Sequence, residues 1–445
     1  MSASKWKPYP SYKDSETLAK KIPIHWNELA LKRVSTINDD TLPEETDPMR
    51  KMCYVDIGSV SYEDGITRCE EMVFEKSPSR ARRLVNDGDV IVSTVRTYLK
   101  AICKIKNPMS EMVFSTGFAI VRPDNSWNKD SIGDFIVADY FVENVVANSD
   151  GVSYPAINAS DLGCLKIIQP PKIEQEQVKE FLESKVLGIN NCISRLEKII
   201  YSLEYKRSTL ITQAVTKGLN SDVSMKDSGL DWYPEIPSHW KLRRVKHIAT
   251  ISPSNVDKKK YDGQEEVRLA NYVDVYYNDR ITDELDLMVA TASESEIVKF
   301  SLKAGDLIIT KDSETWDDIA VPAFVPETME GVVCGYHLSL IRPNQKHVLG
   351  EFLFRTYQAL GIRDQYHYYA NGVTRYGLGS YWVNNGVVPV PPLDEQLEIA
   401  QYIDKQLAMM ETIKEQSETQ IAKLKQFRTA LISAVVTGKI DVRSL

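Results

Sequence analysis

PPKIEQEQVKEFL at residues 170–182 returns as PPLDEQLEIAQYI at residues 391–403. The two stretches share the Pro-Pro step, the Glu-Gln pair and the apolar positions that follow, and they lie 221 residues apart (395 minus 174), close to half the chain. Solenoids and propellers repeat with periods of roughly 20 to 50 residues. A repeat this long therefore indicates a duplicated pair of domains.

Other segments recur at nearly the same offset on both sides of that anchor. The matched pairs are Arg122-Pro123 with Arg342-Pro343, Gly88-Asp89-Val90-Ile91 with Gly305-Asp306-Leu307-Ile308, His25-Trp26 with His239-Trp240, and Lys13-Asp14-Ser15 with Lys226-Asp227-Ser228. The sequences between these segments differ, as surface loops permit. A common scaffold with divergent inserts is what two related but different recognition tasks require.

Apolar residues follow the first Pro-Pro step at heptad spacing, in alternating steps of four and three. This repeat is typical of a coiled-coil helix. The first seam comprises Leu182, Val186, Ile189, Ile193, Leu196, Ile200, Leu203, Arg207, Leu210 and Ala214.

The second Pro-Pro step begins an equivalent seam with polar residues in its middle, and polar groups in a seam fix its register at a cost in stability. We expect Asp394 to cap this second helix, and Gly218 and Gly438 to end the two helices. The second seam comprises Ile403, Leu407, Met410, Lys414, Ser417, Ile421, Leu424, Arg428, Leu431 and Val435.

The stretches before the two helices contain short apolar runs separated by turn residues, which predict α/β globular units. A compact domain usually keeps its termini close together, so the helix ends should be neighbours and the helices antiparallel. The expected fold class is a multidomain α/β (α+β) protein, with two globular domains separated by two long antiparallel coiled-coil helices in pseudo-two-fold symmetry. The predicted parts are residues 1–170, 171–219 for the central helix, 220–391, and 392–445 for the C-terminal helix.

The N-terminus lacks the apolar core of a signal peptide, and no run of about 18 apolar residues occurs, so we expect a cytoplasmic protein. The cysteines form no Cys-x-x-Cys pair, so we expect reduced, mostly buried thiols. They are Cys53, Cys69, Cys103, Cys164, Cys192 and Cys334.

The 54 basic and 62 acidic residues give a net charge of −8, which by itself argues against a nucleic-acid-binding protein. Basic residues nevertheless cluster locally, and the local field matters more than the total for binding a polyanion. Each cluster is either a solvated face or a phosphate contact. The clusters are Lys76 with Arg80, Arg82 and Arg83, then Lys241 with Arg243, Arg244 and Lys246, and finally Lys258 with Lys259 and Lys260.

The order of these segments resembles the specificity subunit of type I restriction-modification enzymes. The resemblance covers nearly the whole chain and depends on the Pro391–Gln396 step, the LISAVVTGKIDVR sequence at residues 431–443, and the Lys226–Trp240 segment between the first helix and the second unit. Each motif alone is weak, but their combination in this order is specific.

The resemblance implies that residues 1–170 and 220–391 are target recognition domains, each reading one half of an asymmetric bipartite sequence in double-stranded DNA. The helices would space these domains and dock two modification subunits, which are S-adenosylmethionine-dependent adenine-N6 methyltransferases. Two restriction subunits would add the endonuclease and translocase, which use ATP and Mg. The chain itself would then be non-catalytic, would bind no cofactor or metal, and would have no membrane partner.

Residue patterns for catalysis are missing from the sequence. Adenine methyltransferases hold a flipped base with an Asn/Asp-Pro-Pro-Tyr/Phe loop, whereas the Pro-Pro pairs here follow Gln169 and Val390. The sequence also contains no GxxxxGK[ST] phosphate loop and no His/Cys cluster at zinc-ligand spacing. We interpret His25 and His239, each followed by Trp, as packing residues.

Candidate base-reading residues lie in two loop regions of each domain, where polar side chains could address groove edges. A solvated hairpin turn is the alternative interpretation of the first region, and a turn requiring positive φ that of the second. The first region contains Ser93, Thr94, Arg96, Tyr98 and Lys100, and Thr310, Lys311, Asp312, Ser313, Glu314 and Trp316 in the second half.

The second loop region contains a glycine in each domain, Gly151 and Gly372, which allows close backbone approach. Its candidates are Ser153 and Tyr154 within Asn148–Tyr154, and Asn371, Thr374, Arg375 and Tyr376. Phosphate contacts, which position a protein without specifying bases, are expected from Arg80, Arg82, Arg83, Lys258, Lys259 and Lys260.

Two other functions were weighed against a DNA-reading scaffold. One is a coiled-coil protein-protein adaptor without DNA specificity, whose heads bind protein. The other is a stand-alone enzyme that acts on nucleic acid, which would require turnover by the isolated chain.

Overall fold

The computed structural model describes residues 6–128 and 130–443. The chain divides into two compact units. The first unit comprises Met1–Leu196 with Glu418–Leu445, and the second comprises Glu197–Ser417. Each unit therefore combines a globular head with part of each long helix.

The first unit is built on two four-stranded sheets. One sheet has the antiparallel order β11-β10-β13-β4, and the other has the order β8-β5-β12-β9 with β5 and β12 parallel. The strands are β1 (Tyr12–Asp14), β2 (Lys21–Pro23), β3 (Asn27–Ala30), β4 (Ser35–Ile37), β5 (Lys51–Val55), β6 (Val60–Ser61), β7 (Gly65–Ile66), β8 (Glu70–Val73), β9 (Ala81–Arg83), β10 (Val90–Ser93), β11 (Ile102–Lys104), β12 (Met112–Ser115), β13 (Phe118–Pro123) and β14 (Lys166–Gln169).

The second unit repeats this topology. Its order β18-β25-β21-β23 corresponds to β4-β13-β10-β11, and β20-β19-β24 corresponds to β8-β5-β12, again with one parallel pair. The strands are β15 (Met225–Asp227), β16 (Glu235–Pro237), β17 (Lys241–Arg244), β18 (Ala249–Pro253), β19 (Glu265–Ala270), β20 (Met288–Ala292), β21 (Leu307–Thr310), β22 (Asp312–Ser313), β23 (Pro322–Phe324), β24 (Val332–Cys334), β25 (Leu338–Pro343), β26 (Tyr376–Gly377) and β27 (Val387–Val390).

The register of the central strands is the same in both units. Ile91 faces Ile120 across β10 and β13, and Ile308 faces Leu340 across β21 and β25. The repeat seen in the sequence is therefore a duplicated fold.

The helices are α1 (Ile132–Ile136), α2 (Asp139–Ala147), α3 (Ala159–Cys164), α4 (Lys172–Lys217), α5 (Tyr272–Tyr277), α6 (Glu294–Phe300), α7 (Gly350–Gln358), α8 (Leu360–Tyr369), α9 (Ser380–Asn385) and α10 (Leu393–Val436).

Both long helices predicted by the heptads are present, with 46 residues in α4 and 44 in α10. Gly218 and Gly438 follow their ends with φ values of +76° and +70°, as expected for glycines that terminate helices. The expectation for Asp394 was wrong. The helix starts at Leu393, one residue before Asp394. The Asp394 carboxylate therefore lies in the first turn, where it interacts favourably with the positive end of the helix dipole.

The two long helices share their buried faces with the heads. In the first unit, Leu182 and Ile193 of α4 lie in one core cluster with Leu431 and Val435 of α10. In the second unit the cluster takes residues from the other end of each helix, namely Ile211, Ala214 and Val215 of α4 with Ile399 and Ile403 of α10. Each head is thus joined to both helices by a continuous apolar core.

The expectation of reduced, mostly buried thiols was wrong. Cys53 of β5 and Cys69 form a disulfide with Cα atoms 5.5 Å apart, because the β5–β8 pairing brings the residue before β8 beside β5. Cys164 and Cys192 are exposed, and only Cys334 of the free thiols is buried. No helix among the described residues is long and apolar enough to cross a membrane.

Candidate nucleic-acid interface

The start of α4 is tied to the repeated His-Trp pair of the first unit. The Glu174 carboxylate accepts hydrogen bonds from Trp26 Nε1 at 2.9 Å and from the Tyr9 hydroxyl at 2.8 Å. His25 Nε2 lies 2.7 Å from the other carboxylate oxygen. These contacts give Glu174, Trp26 and His25 a structural role in holding the head to the helix.

The second unit repeats this anchor at the start of α10. Glu395 accepts a hydrogen bond from Trp240 Nε1 at 3.0 Å, and His239 Nε2 lies 2.9 Å from its second oxygen. Tyr9 has no counterpart among these bonds, and the Glu395 side chain is 25% exposed against 6% for Glu174. The repeated Glu and His-Trp motifs therefore meet in three dimensions although they lie far apart in the chain.

A buried aspartate binds an arginine at the same point of each main sheet. Asp89 accepts from Arg122 Nε at 3.0 Å and from its Nη2 at 2.8 Å, and this hydrogen bonding raises the pKa of Arg122. Asp306 and Arg342 form the equivalent pair at 2.8 and 2.7 Å. The repeated Gly-Asp and Arg-Pro motifs are thus parts of the scaffold, which leaves the divergent loops to carry recognition.

In the first unit both predicted loop regions lie together, joined by a third segment. We call residues 93–100, 115–117 and 148–156 the first loop surface. The Thr94 amide donates to the Gly117 carbonyl at 2.8 Å, and the Thr97 hydroxyl lies 2.8 Å from the Ser149 hydroxyl. The Arg96 guanidinium lies 5.0 Å from the ring centre of Tyr154. The structure therefore brings the two predicted regions into one surface.

The backbone of this surface is held in an uncommon conformation. Arg96 and Lys100 have φ values of +52° and +51°, in the left-handed region that non-glycine residues rarely adopt. Side chains stabilise the turn from within, since the Ser93 hydroxyl donates to the Val95 carbonyl at 2.6 Å. The turn thus holds Arg96 and Tyr98 out toward solvent.

The equivalent second loop surface comprises residues 310–316, 335–337 and 371–377. Its two predicted regions pair as short strands, with Asp312 opposite Gly377 and Ser313 opposite Tyr376. The Lys311 amide donates to the His337 carbonyl at 3.0 Å, as Thr94 does to Gly117. The two surfaces therefore share their backbone connections and differ in side chains.

A glycine is required in the loop of the second surface. A Cβ atom at Gly372 would lie 1.8 Å from the Arg375 carbonyl oxygen. In the first surface Gly151 has a φ of +113°, which favours glycine, and its Cβ would lie 3.2 Å from the Tyr154 carbonyl oxygen. Both loops therefore fold tightly and place the residues after the glycine at the surface.

Several predicted readers bind the protein itself. Ser93 is 1% exposed, and Thr94 donates its hydroxyl to Gly117 at 2.9 Å. Lys100 Nζ lies 2.5 Å from Glu143. In the second unit Lys311 donates to the Ser254 carbonyl at 3.0 Å, and Ser313 is 5% exposed. The predicted residues that remain exposed are Arg96, Tyr98, Ser153, Tyr154, Glu314, Trp316, Asn371, Thr374 and Arg375, whereas Tyr376 is half-buried.

The predicted phosphate-contact residues divide in the same way. Arg80 is exposed, donates to the Tyr54 hydroxyl at 3.2 Å, and lines a cleft of ≈480 Å³ with Arg96 and Tyr154. Arg82 lies over the Phe74 ring at 4.7 Å, and burial lowers the pKa of Arg83. Of the three arginines, Arg80 thus lies beside the first loop surface.

The lysines at 258–260 lie on the surface of the second head. All three side chains are exposed. Lys259 Nζ lies 4.0 Å from Asp257 and Lys260 Nζ lies 3.3 Å from Glu266. Exposed pairs of this kind are weak, so the lysines remain available to a polyanion.

Sequence reasoning missed residues that complete the second surface. Tyr336 and His337 form the turn before β25, and the His337 Nδ1 lies 2.9 Å from Asp312. The Tyr272 hydroxyl lies 2.9 Å from that of Ser313, and a hydrogen bond to Asp318 raises the pKa of Tyr276 to about 12. The YVDVYY run at residues 272–277, rich in groups that can stack on bases, was the available signal.

The chain is similar to a known protein family and to individual proteins of known type. Residues 237–423 match the family described as type I restriction modification DNA specificity domain. The putative type I restriction enzyme MjaX specificity subunit of Methanocaldococcus jannaschii is 25% identical over 312 residues, which cover 66% of this chain and 63% of the relative. The type I restriction enzyme EcoKI specificity subunit of Escherichia coli is 20% identical over 346 residues, covering 75% of this chain and 70% of the relative.

A solved structure shares the fold. This structure, described as the structural basis underlying complex assembly and conformational transition of the type I R-M system, superposes on the chain with a TM-score of 0.68 and 18% sequence identity. The match covers 94% of this chain and 99% of the other. The mixed helix and strand architecture with its long helices is thus shared across nearly the full length.

Proposed function

We propose that this chain, which carries the type I restriction modification DNA specificity domain, is the non-catalytic DNA-reading subunit of a type I restriction-modification complex. The observation that carries the proposal is the contrast between the scaffold that the two units share and the surfaces in which they differ. The anchors, sheets and loop connections repeat, whereas the exposed side chains of the two loop surfaces differ. A repeated scaffold with different surfaces suits a bipartite target whose halves are unrelated.

Each loop surface would read one half-site. In the first, Arg96, Tyr98 and Tyr154 present a guanidinium and aromatic rings, groups that bind guanine edges and thymine methyl groups. In the second, Arg375 is joined by Trp316 and the exposed Tyr336. Arg80 and the lysines at 258–260 would contact phosphates and fix each head in place.

The two long helices would form the spacer as an antiparallel coiled coil. In support, α4 and α10 contact in opposite order within the first unit, since Val186 and Ile432 line one cavity and Leu196 and Leu424 line another. Between them, Arg428 Nη1 donates to Asn190 Oδ1 at 2.7 Å. An α-helix of this length extends on the order of 60 Å at about 1.5 Å per residue, enough to hold half-sites about one DNA turn apart.

The proposed partners follow from the chemistry that the sequence lacks. Two modification subunits would bring the adenine-N6 methyltransferase and S-adenosylmethionine, and two restriction subunits would bring ATP- and Mg-dependent cleavage and translocation. The assembly would work in the cytoplasm. The helices would be the part of the chain that receives the modification subunits.

Fluorescence anisotropy with labelled duplexes, at low and high salt and with the modification subunit present, tests the proposal. Because the protein would displace counterions from several phosphates, affinity should fall about tenfold to a thousandfold between 50 and 200 mM salt. A protein-protein adaptor would ignore the duplex at both salt concentrations, and that result would reject the DNA-reading role. Turnover of DNA by the isolated chain would instead favour an enzyme.

A further inference from the structure

A cleft in the second unit concentrates basic side chains away from the loop surface. It has a volume of ≈460 Å³ and lies between β17, the turn after β25 and the Pro391-Pro392 step before α10. This volume is typical of a site for a small molecule. The basic side chains that line the cleft are His239, Lys241, Arg243, His247, Lys346 and His347.

The charge of this cleft is unbalanced. His239 is the member that faces a carboxylate, that of Glu395 at 2.9 Å. Within the described residues, the other five basic side chains have no ion pair and no side-chain hydrogen bond to the protein. The positive charges among these side chains are those of Lys241, Arg243 and Lys346. Such a group is unexpected in a chain of net charge −8, because like charges gathered without counterions repel one another. Such a cluster is stabilised by an anionic ligand.

The alternation of side chains along β17 places two of the basic residues on the face that lines the cleft. Side chains alternate across a strand, so Lys241 and Arg243 of β17 share one face. Arg244, on the opposite face, donates to Asn385 Oδ1 at 3.3 Å. Lys346 and His347 follow the end of β25, on the other side of the cleft.

The first unit lacks the charges of Lys241 and Arg243 at the corresponding positions of the same scaffold. The pairing of β3 with β14 places Asn27 opposite Gln169, as β17 with β27 places Lys241 opposite Val390. By the same correspondence Leu29 replaces Arg243. The basic cleft is thus a feature added to one copy of a duplicated framework.

The cleft is also separate from the second loop surface. His337 lies just before β25, and Lys346 lies just beyond its far end. Six strand residues at about 3.3 Å each place the two regions roughly 20 Å apart along the strand. A group bound in the cleft therefore need not be a base-reading contact.

We propose that this cleft binds a phosphate-bearing ligand, with Arg243, Lys241 and Lys346 holding the phosphate groups. Arginine supplies paired donors that match phosphate oxygens, and lysine adds a point charge. Pro391, Pro392 and Leu393 form an apolar wall beside these groups, which suits the non-phosphate part of a nucleotide. The phosphate could belong to a free nucleotide or to a nucleic acid, and the proposal does not depend on the DNA-reading role.

Isothermal titration calorimetry of the full chain tests the site with tripolyphosphate, ATP and a short duplex oligonucleotide as separate probes. We expect tripolyphosphate to bind at one site per chain. The double variant Arg243→Ala with Lys346→Ala should weaken this binding at least roughly tenfold, since charge-assisted hydrogen bonds are lost. Arg244→Ala removes the same charge from the opposite face of the strand and should leave the affinity unchanged.

The probes distinguish the sources of phosphate. Tighter binding of ATP than of tripolyphosphate would identify a nucleotide, whereas competition between the duplex and tripolyphosphate would identify a nucleic-acid backbone. No binding of tripolyphosphate, or equal loss with Arg244→Ala, would overturn the proposal. Cleft-dependent binding of polyglutamate without binding of tripolyphosphate would also overturn it, in favour of an acidic peptide. Circular-dichroism melting confirms that the variants, all at exposed positions, are folded.

Discussion

At the scale of single residues, the repeated motifs act as anchors between distant parts of the chain. Glu174 and Glu395 each start a long helix and each bind the indole of a repeated tryptophan. A buried indole N–H without a partner is costly, so each glutamate carboxylate stabilises the buried tryptophan that it binds. The same pairing in both units explains why these residue types recur at matched positions.

The two anchors should differ in their contribution to stability. Glu174→Ala leaves the buried donors of Trp26 and Tyr9 without an acceptor and should lower the free energy of unfolding by ~3 kcal/mol. Glu395→Ala should cost ~1 kcal/mol because its carboxylate is more exposed. Urea unfolding followed by tryptophan fluorescence measures both. Glu398→Ala, exposed on α10, is the control, and a cost for Glu174→Ala no larger than that of the control would contradict the anchor role.

Arg375 is the residue whose change best separates reading from positioning. If Arg375 contacts a base, Arg375→Ala should weaken binding by about 1–3 kcal/mol, and only for targets with the intact second half-site. Competition binding with duplexes mutated in one half-site at a time measures this. An equal loss on every sequence would show that Arg375 contacts phosphate alone.

At the scale of elements, burial along α4 supports the proposed coiled-coil seam. Leu182, Ile189 and Ile193 of α4 are buried, and Leu196, Ile200 and Leu203 are half-buried. The seam is interrupted where arginines occur at matched positions. Arg428 also donates to the Glu63 carbonyl in the first head, and Arg207 lies 2.5 Å from Asp279 in the second. These arginines therefore tie each head to a helix.

A charge placed in the seam should disrupt the helix pair. Leu203→Asp puts an unpaired carboxylate at a half-buried position and should cost ~2 kcal/mol. Thermal melting by circular dichroism measures the loss. Tyr205→Asp introduces the same charge two residues away, where the side chain is 75% exposed, and should have little effect. Equal melting of the two variants would argue against the seam assignment.

The long helices and the duplicated fold could be predicted because heptad spacing and repeated motifs can be read directly from the sequence. Contacts between residues that lie far apart in the sequence could not be predicted, since the register of the sheets determines which residues meet. Thus Ser93 was predicted to read DNA but is buried, and the Cys53–Cys69 disulfide went unrecognised. The basic cluster that includes Lys241 and Arg243 was noted in the sequence, but not that Lys346 lines the same cleft. The turn carrying Tyr336 and His337 was missed because its position depends on the parallel pairing of β19 with β24.

At the scale of the whole molecule, the central proposal is that one scaffold, used twice, carries two different readers at a fixed separation. The two units repeat their strand order and their anchors. Their loop surfaces carry different side chains, with Arg96 and Tyr154 in one and Arg375 and Trp316 in the other. The target should therefore have two unrelated halves, and the spacer should fix the gap between them.

Modified-base sequencing tests this proposal most directly. The chain would be expressed with its modification subunit in a host that lacks other adenine methyltransferases, and the genome would be sequenced for methylated adenine. We expect a single motif with two unrelated half-sites, a gap of constant length, and one methylated adenine on each strand. A continuous or palindromic motif, or no motif while the methyltransferase is active, would contradict the proposal.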